Sequence, residues 1–122
     1  MPRIVRVLAV DDDHMILELL TEFLVSEGHE VVVAQSASTA LLLIARALPD
    51  VVLLDVAMPR MDGLQALPAI KAAHPQTKVV VLSAFSEVEM LEKASGRGAD
   101  AYLEKGVVLK QIRETIARVH GA

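Results

Sequence analysis

Cysteine is missing from this 122-residue chain, so no disulfide can staple the fold and no thiolate can hold a metal. That lack is compatible with a reducing cytoplasm, which is the expected location. Nor does any apolar run approach the ~18 residues of a membrane span, and Met1-Pro2-Arg3 opens no charged-then-apolar signal pattern. A basic excess is lacking too: 12 Lys and Arg stand against 16 Asp and Glu, a net charge of −4. This argues against nucleic acid as a direct ligand. Proteins and cations are the partners to expect. What the chain has in quantity is hydrophobic residues, 53% of the total, enough for one core and one domain over residues 1–122.

The apolar residues fall into short β-branched runs separated by helical patterns. Ile4 to Val10 reads as a strand and stops in Asp11-Asp12-Asp13; Ile16, Leu19, Leu20, Phe23 and Leu24 then recur at helical spacing. Asp13 or a neighbour can cap that helix, and Gly28 closes it. Val31 to Ala34 is the second strand. Ser36 is the expected N-cap of a helix in which Ala40, Leu41, Ile44 and Leu48 face the sheet and Leu42 and Leu43 stay outside. Pro49 ends that helix, and Val51-Val52-Leu53-Leu54 suits a strand buried on both faces. It delivers Asp55 to its tip, after which Met58-Pro59 stops regular structure. Asp62-Gly63 reads as a turn before a helix from about Leu64 to His74, in which Pro68 predicts a kink or a late start. Lys78 to Leu82 is the fourth strand, ending at Ser83. Ser86 and Glu89 form a capping box, and Gly96 and Gly98 end the helix it opens. Ala101 to Glu104 is the fifth strand and delivers Lys105. Leu109, Ile112, Ile116 and Val119 make the stripe of a last helix. Five strands alternating with five helices imply α/β with a parallel sheet and right-handed crossovers.

In such sheets ligands bind beyond the carboxyl ends of the strands, where strand order reverses. Those ends carry Asp11 and Asp12, Asp55, Ser83 and Lys105, while the second strand ends in neutral Gln35, as suits an edge. Crowded carboxylates raise one another's pKa or recruit a cation, and an all-oxygen set without His or Cys favours Mg²⁺ or a similar hard ion such as Mn²⁺. A hydroxyl and a lysine facing that ion complete a site for a phosphoryl group. Asp55 between them can be the nucleophile, forming an aspartyl phosphate.

Val10-Asp11-Asp12, Asp55-Val56-Ala57-Met58-Pro59 with Asp62-Gly63, Ser83-Ala84 and Tyr102-Leu103-Glu104-Lys105, in this order and spacing, resemble the response-regulator receiver domain of two-component phosphorelay signalling. The resemblance implies a flavodoxin-like, doubly wound sheet of five parallel strands in order 2-1-3-4-5. It implies that Asp55 accepts a phosphoryl group from a histidine kinase or phosphotransfer protein, with Asp12 and the Ala57 carbonyl as direct metal ligands and Asp11 positioning the metal through water. Ser83 and Lys105 would hold the phosphoryl oxygens. Tyr102, with Ser83, would couple phosphorylation to the face made by the fourth helix, the fifth strand and the last helix, which would engage a downstream protein or output domain or a second copy in a homodimer. A domain of this kind assists its own phosphorylation and dephosphorylation and is not otherwise an enzyme.

Gly106 stands where the family usually has proline. A non-proline cis bond costs ~2.5–4 kcal/mol, so a trans bond is expected after Lys105. Phe85, two residues beyond Ser83, is expected to shield the acyl phosphate from water. Three rivals are weaker. A haloacid-dehalogenase-like phosphatase needs a second Asp at position 57, which is Ala. A flavodoxin-like cofactor binder needs a hydroxyl-rich loop where this chain has three acids. A degenerate receiver serving as a phosphorylation-independent interaction module is at odds with the intact acids, serine and lysine.

Overall fold

The computed structural model describes residues 4–56, 63–83, 98–104 and 109–121, with Leu64 and Ser83 described by their backbone alone. Five strands, β1 (Arg6–Val10), β2 (Glu30–Ala34), β3 (Val51–Asp55), β4 (Lys78–Ser83) and β5 (Ala101–Glu104), form one sheet in the order β2-β1-β3-β4-β5. All four pairings are parallel. Between or after the strands run helices α1 (His14–Ser26), α2 (Ala37–Ala47), α3 (Gly63–Ala73) and α4 (Leu109–His120). Five helices were expected and four stand among the described residues; the one opening at Ser86 lies outside them. The same is true of Ala57, Met58, Pro59, Phe85, Lys105 and Gly106. The arrangement is the flavodoxin-like α/β fold.

Strand alternation divides the core in two. Val7 and Ala9, Val51 and Leu53, and Val80 and Leu82 point to the side of α1 and α4, where they meet Leu17, Leu20, Leu24, Ile112 and Ile116. Leu8 and Val10, Val52, Leu54 and Val56, Val79 and Val81 point to the side of α2 and α3, against Ala40, Ile44, Leu67 and Ile70. Both faces of β3 are therefore covered, which is why its sequence is continuously apolar rather than alternating. Each such Val or Leu contributes about 1.5–3 kcal/mol by leaving water.

The helix ends follow their sequence signals. The Asp13 carboxylate accepts from the Met15 and Ile16 amides and the Ser36 hydroxyl from the Thr39 amide, while Gly28, at φ +91°, donates its N–H to Val25 O at 2.9 Å as α1 closes. The structure refines two expectations and overturns one, that of Leu48. The buried stripe of α1 is Leu17, Leu20 and Leu24 with Ile16 and Phe23 at its margins, and Leu19 is 52% exposed. Leu48 does not face the sheet: it is 49% exposed and caps α2 in the left-handed conformation at φ +45°. Of the two outcomes expected at Pro68, the late start does not occur: α3 begins at Gly63. The proline sits on the exposed side, and burial of Ala66, Leu67 and Ile70 outweighs the one helical hydrogen bond that its missing N–H removes.

Polar groups close the end of the sheet where the strands begin. Lys71 Nζ donates to Asp100 Oδ2 at 3.0 Å and to the Thr77 carbonyl at 2.9 Å, and the Val79 amide donates to the same Asp100 oxygen at 2.8 Å. The buried Thr77 hydroxyl donates to the Pro49 carbonyl at 2.7 Å. The Arg6 amide donates to Asp50 Oδ2 at 2.9 Å and the Val5 amide to His29 Nδ1 at 3.1 Å.

Candidate functional site

The opposite end gathers acids, and strand parity explains how. On β1 the residues facing α1 are Val7 and Ala9, and on β3 they are Val51 and Leu53. Two residues further along each strand come Asp11 and Asp55. Val10 is paired with Leu54, so one step onward brings the two acids side by side as the strands run out. Both are 1% exposed. Asp11 is fixed from two directions: its amide donates to the Ala34 carbonyl at 3.1 Å, extending the ladder to β2, and its Oδ1 accepts the Asp13 amide at 2.9 Å. Asp12 is exposed at the turn between them. One carboxylate oxygen from each of Asp11, Asp12 and Asp55 lies within 4.8 Å of the others.

Two carboxylates this close repel by on the order of 3 kcal/mol at an effective dielectric near 20. A divalent cation among them reverses the sign. The donor set fits a hard ion that prefers oxygen, and Asp12 on the solvent side leaves an approach open. Asp13, third in the acidic run, contributes no oxygen to this group: its side chain has turned to the α1 amides, as a helix-start residue should.

Of the remaining sequence candidates, Ser83 closes β4 one residue beyond Leu82, the register partner of Asp55, and pairs with Glu104 of β5. Its place in the strand is thus beside the acidic end. Lys105 and the Ala57 carbonyl lie outside the described residues, as do Phe85 and the Lys105-Gly106 bond. Tyr102 is 8% exposed and packs into the core on the α2 and α3 side. At this end His14 lies 3.1 Å from Glu18 through Nε2 and 3.5 Å from the Gln35 amide through Nδ1. The His14–Glu18 spacing was readable; the approach of Gln35 across the β1–β2 junction was not.

Comparison with known proteins bears on the family and the fold. The family model for the response regulator receiver domain matches residues 7–117. The chain is 36% identical over 118 residues to the Regulatory protein AtoC of Escherichia coli strain K12, spanning 97% of this chain and 26% of that protein. It is 30% identical over 113 residues to the Sporulation initiation phosphotransferase F of Bacillus subtilis strain 168, spanning 93% of this chain and 91% of that one. A solved CheY-like response regulator receiver domain protein from Methanospirillum hungatei superposes with a TM-score of 0.92 at 29% identity, covering 98% of this chain and 95% of that one. The chain spans about a quarter of the length of the first curated relatives it matches. No helix among the described residues is long and apolar enough to cross a membrane.

Proposed function

This chain belongs to the response regulator receiver domain family of two-component signalling, and we propose that it is a phosphoacceptor switch in which Asp55 takes a phosphoryl group from the phosphohistidine of a histidine kinase or phosphotransfer protein. The observation that carries this proposal is the buried Asp55 carboxylate at the tip of β3, with oxygens of Asp11 and Asp12 within 4.8 Å.

Asp12, Asp55 and the Ala57 carbonyl would hold Mg²⁺ or Mn²⁺, and Asp11 would help to position it. When bound, the ion offsets the charge of the carboxylates and of the incoming phosphoryl oxygens. An oxygen of Asp55 attacks the phosphorus as the phosphorus–nitrogen bond to the donor imidazole breaks. The electron pair of that bond leaves with the imidazole, and Asp55 becomes an acyl phosphate. Burial of Asp55 in a strand covered on both faces holds the carboxylate in one orientation, so little reorganisation accompanies attack. Ser83 and Lys105 hold the phosphoryl oxygens by a hydrogen bond and a charge. Tyr102, the register partner of Val81 and buried on the same side of the sheet, carries the change to an interaction surface for a downstream protein or output domain. Phe85 shields the product from water.

Incubation with acetyl phosphate and Mg²⁺ tests the proposal. The parent chain should incorporate phosphoryl groups, chelation should stop incorporation, and Asp55→Asn should reduce it at least 100-fold, on the order of what removing a nucleophile costs. Incorporation that survives the substitution, or none in the parent, overturns it; the latter would leave a phosphorylation-independent interaction module.

A further inference from the structure

Asp11-Asp12-Asp13 places three acids in succession, and nothing in their order says what the third is for. The structure separates them. Asp11 and Asp12 send an oxygen toward Asp55; Asp13 takes an extended backbone at φ −87° and ψ 107°, and its Oδ1 accepts the amides of Met15 at 3.0 Å and Ile16 at 3.4 Å. Its carbonyl accepts the Leu17 amide at 3.2 Å, the first bond of α1. Its own amide donates to Asp11 Oδ1 at 2.9 Å. One residue therefore joins the start of α1 to the carboxylate of Asp11, and Asp12 lies between the two.

We propose that Asp13 is a positioning residue for the divalent metal, a role that rests on the metal site assigned above. Rigidity reaches the acids along a defined route. Leu17, Leu20 and Leu24 fix α1 in the core, α1 fixes Asp13 through two amide bonds, and Asp13 fixes Asp11 through its own amide. Without the side-chain acceptor the first turn of α1 loses partners for its amides and frays. The Asp13 amide is then no longer held against Asp11, and the turn carrying Asp12 leaves the geometry that gathers the three oxygens. The carboxylate acts here as a hydrogen-bond acceptor. Its charge is not what the role requires.

Mn²⁺ affinity of the chain, measured by calorimetry, separates this role from two simpler ones. Asp13→Ala should weaken binding about tenfold, the lower range for groups that orient metal ligands, whereas Asp13→Asn and Asp13→Ser, which keep an acceptor, should stay within about threefold of the parent. Asp13→Gly, which suits the N-cap backbone but offers no acceptor, should behave like Asp13→Ala in a chain whose fold is less perturbed. Ser36→Ala removes the equivalent cap of α2, whose hydroxyl bonds within its own first turn. It should lower the melting temperature by about 3–6 °C, as loss of a helix cap does, and leave Mn²⁺ affinity alone. If Asp13→Ala and Asp13→Gly bind Mn²⁺ within twofold of the parent, Asp13 is a helix cap and nothing more. If Asp13→Asn is as weak as Asp13→Ala, and salt removes the difference from the parent, a through-space charge is at work. Either result overturns the proposal. Asp12→Asn guards the premise: if that variant binds Mn²⁺ as the parent does, the metal site itself is misassigned, whatever the Asp13 variants show.

Discussion

Where the strands begin, Asp100 receives the Lys71 ammonium at 3.0 Å and the Val79 amide at 2.8 Å; where they end, Asp11, Asp12 and Asp55 crowd three carboxylate oxygens within 4.8 Å. The two ends belong to the same sheet, and the acidic one is the deeper: Asp11 and Asp55 are 1% exposed, while the Lys71 and Asp100 side chains are about a quarter exposed. At the first, opposite charges and backbone groups answer one another, and the network closes on itself. At the second, strand parity brings three carboxylates together. A network of opposite charges and backbone groups contributes to folding, whereas carboxylates gathered at one point form a set of oxygen donors suited to a cation. The difference gives each end its own signature under mutation.

The largest effect is expected at the closed end. Asp100→Ala leaves the Val79 amide and the Lys71 ammonium without their shared acceptor and should cost about 2 kcal/mol in urea unfolding, less than for a fully buried pair because both side chains are about a quarter exposed. Mn²⁺ affinity of the folded variant should not change. If it falls, the two ends are coupled and the contrast breaks. Leu48→Gly should act in the other direction. A leucine held at φ +45° is strained by about 1 kcal/mol, so glycine should raise stability by about 0.5–1 kcal/mol, again with the metal site untouched. The smallest change sharpens the contrast from the acidic end. Asp12→Asn, unfolded in the presence of chelator, should be more stable than the parent by a few tenths of a kcal/mol, because one of three like charges has gone. Adding Mg²⁺ should reverse the order, since only the parent gains from the ion.

The acidic end was readable because continuous apolar runs mark strands buried on both faces, and the acid that follows each run falls where its strand leaves the core. Asp11 and Asp55 follow from the runs Ile4 to Val10 and Val51 to Leu54 in this way, and Ser36 and Asp13 follow from capping chemistry. The closed end was not readable. Lys71, Thr77 and Asp100 carry no motif, and they meet only because α3 and the strands around it pack as they do. Leu48 was misjudged for a related reason: periodicity assigns a face only to residues inside the helix, and the left-handed turn before Pro49 rotates Leu48 into solvent. Pro68 shows the converse, where burial of Ala66, Leu67 and Ile70 decides the helix against the local preference of one residue.

The central claim is that Asp55 is the acceptor, and chemical trapping tests it at the level of the residue. After incubation with acetyl phosphate and Mg²⁺, borohydride reduces an aspartyl phosphate to homoserine, which peptide mass spectrometry locates in the chain. Homoserine at position 55, dependent on Mg²⁺ and on Asp12, is the predicted result. Homoserine at Asp11, Asp12 or another acid with position 55 unchanged would contradict the account.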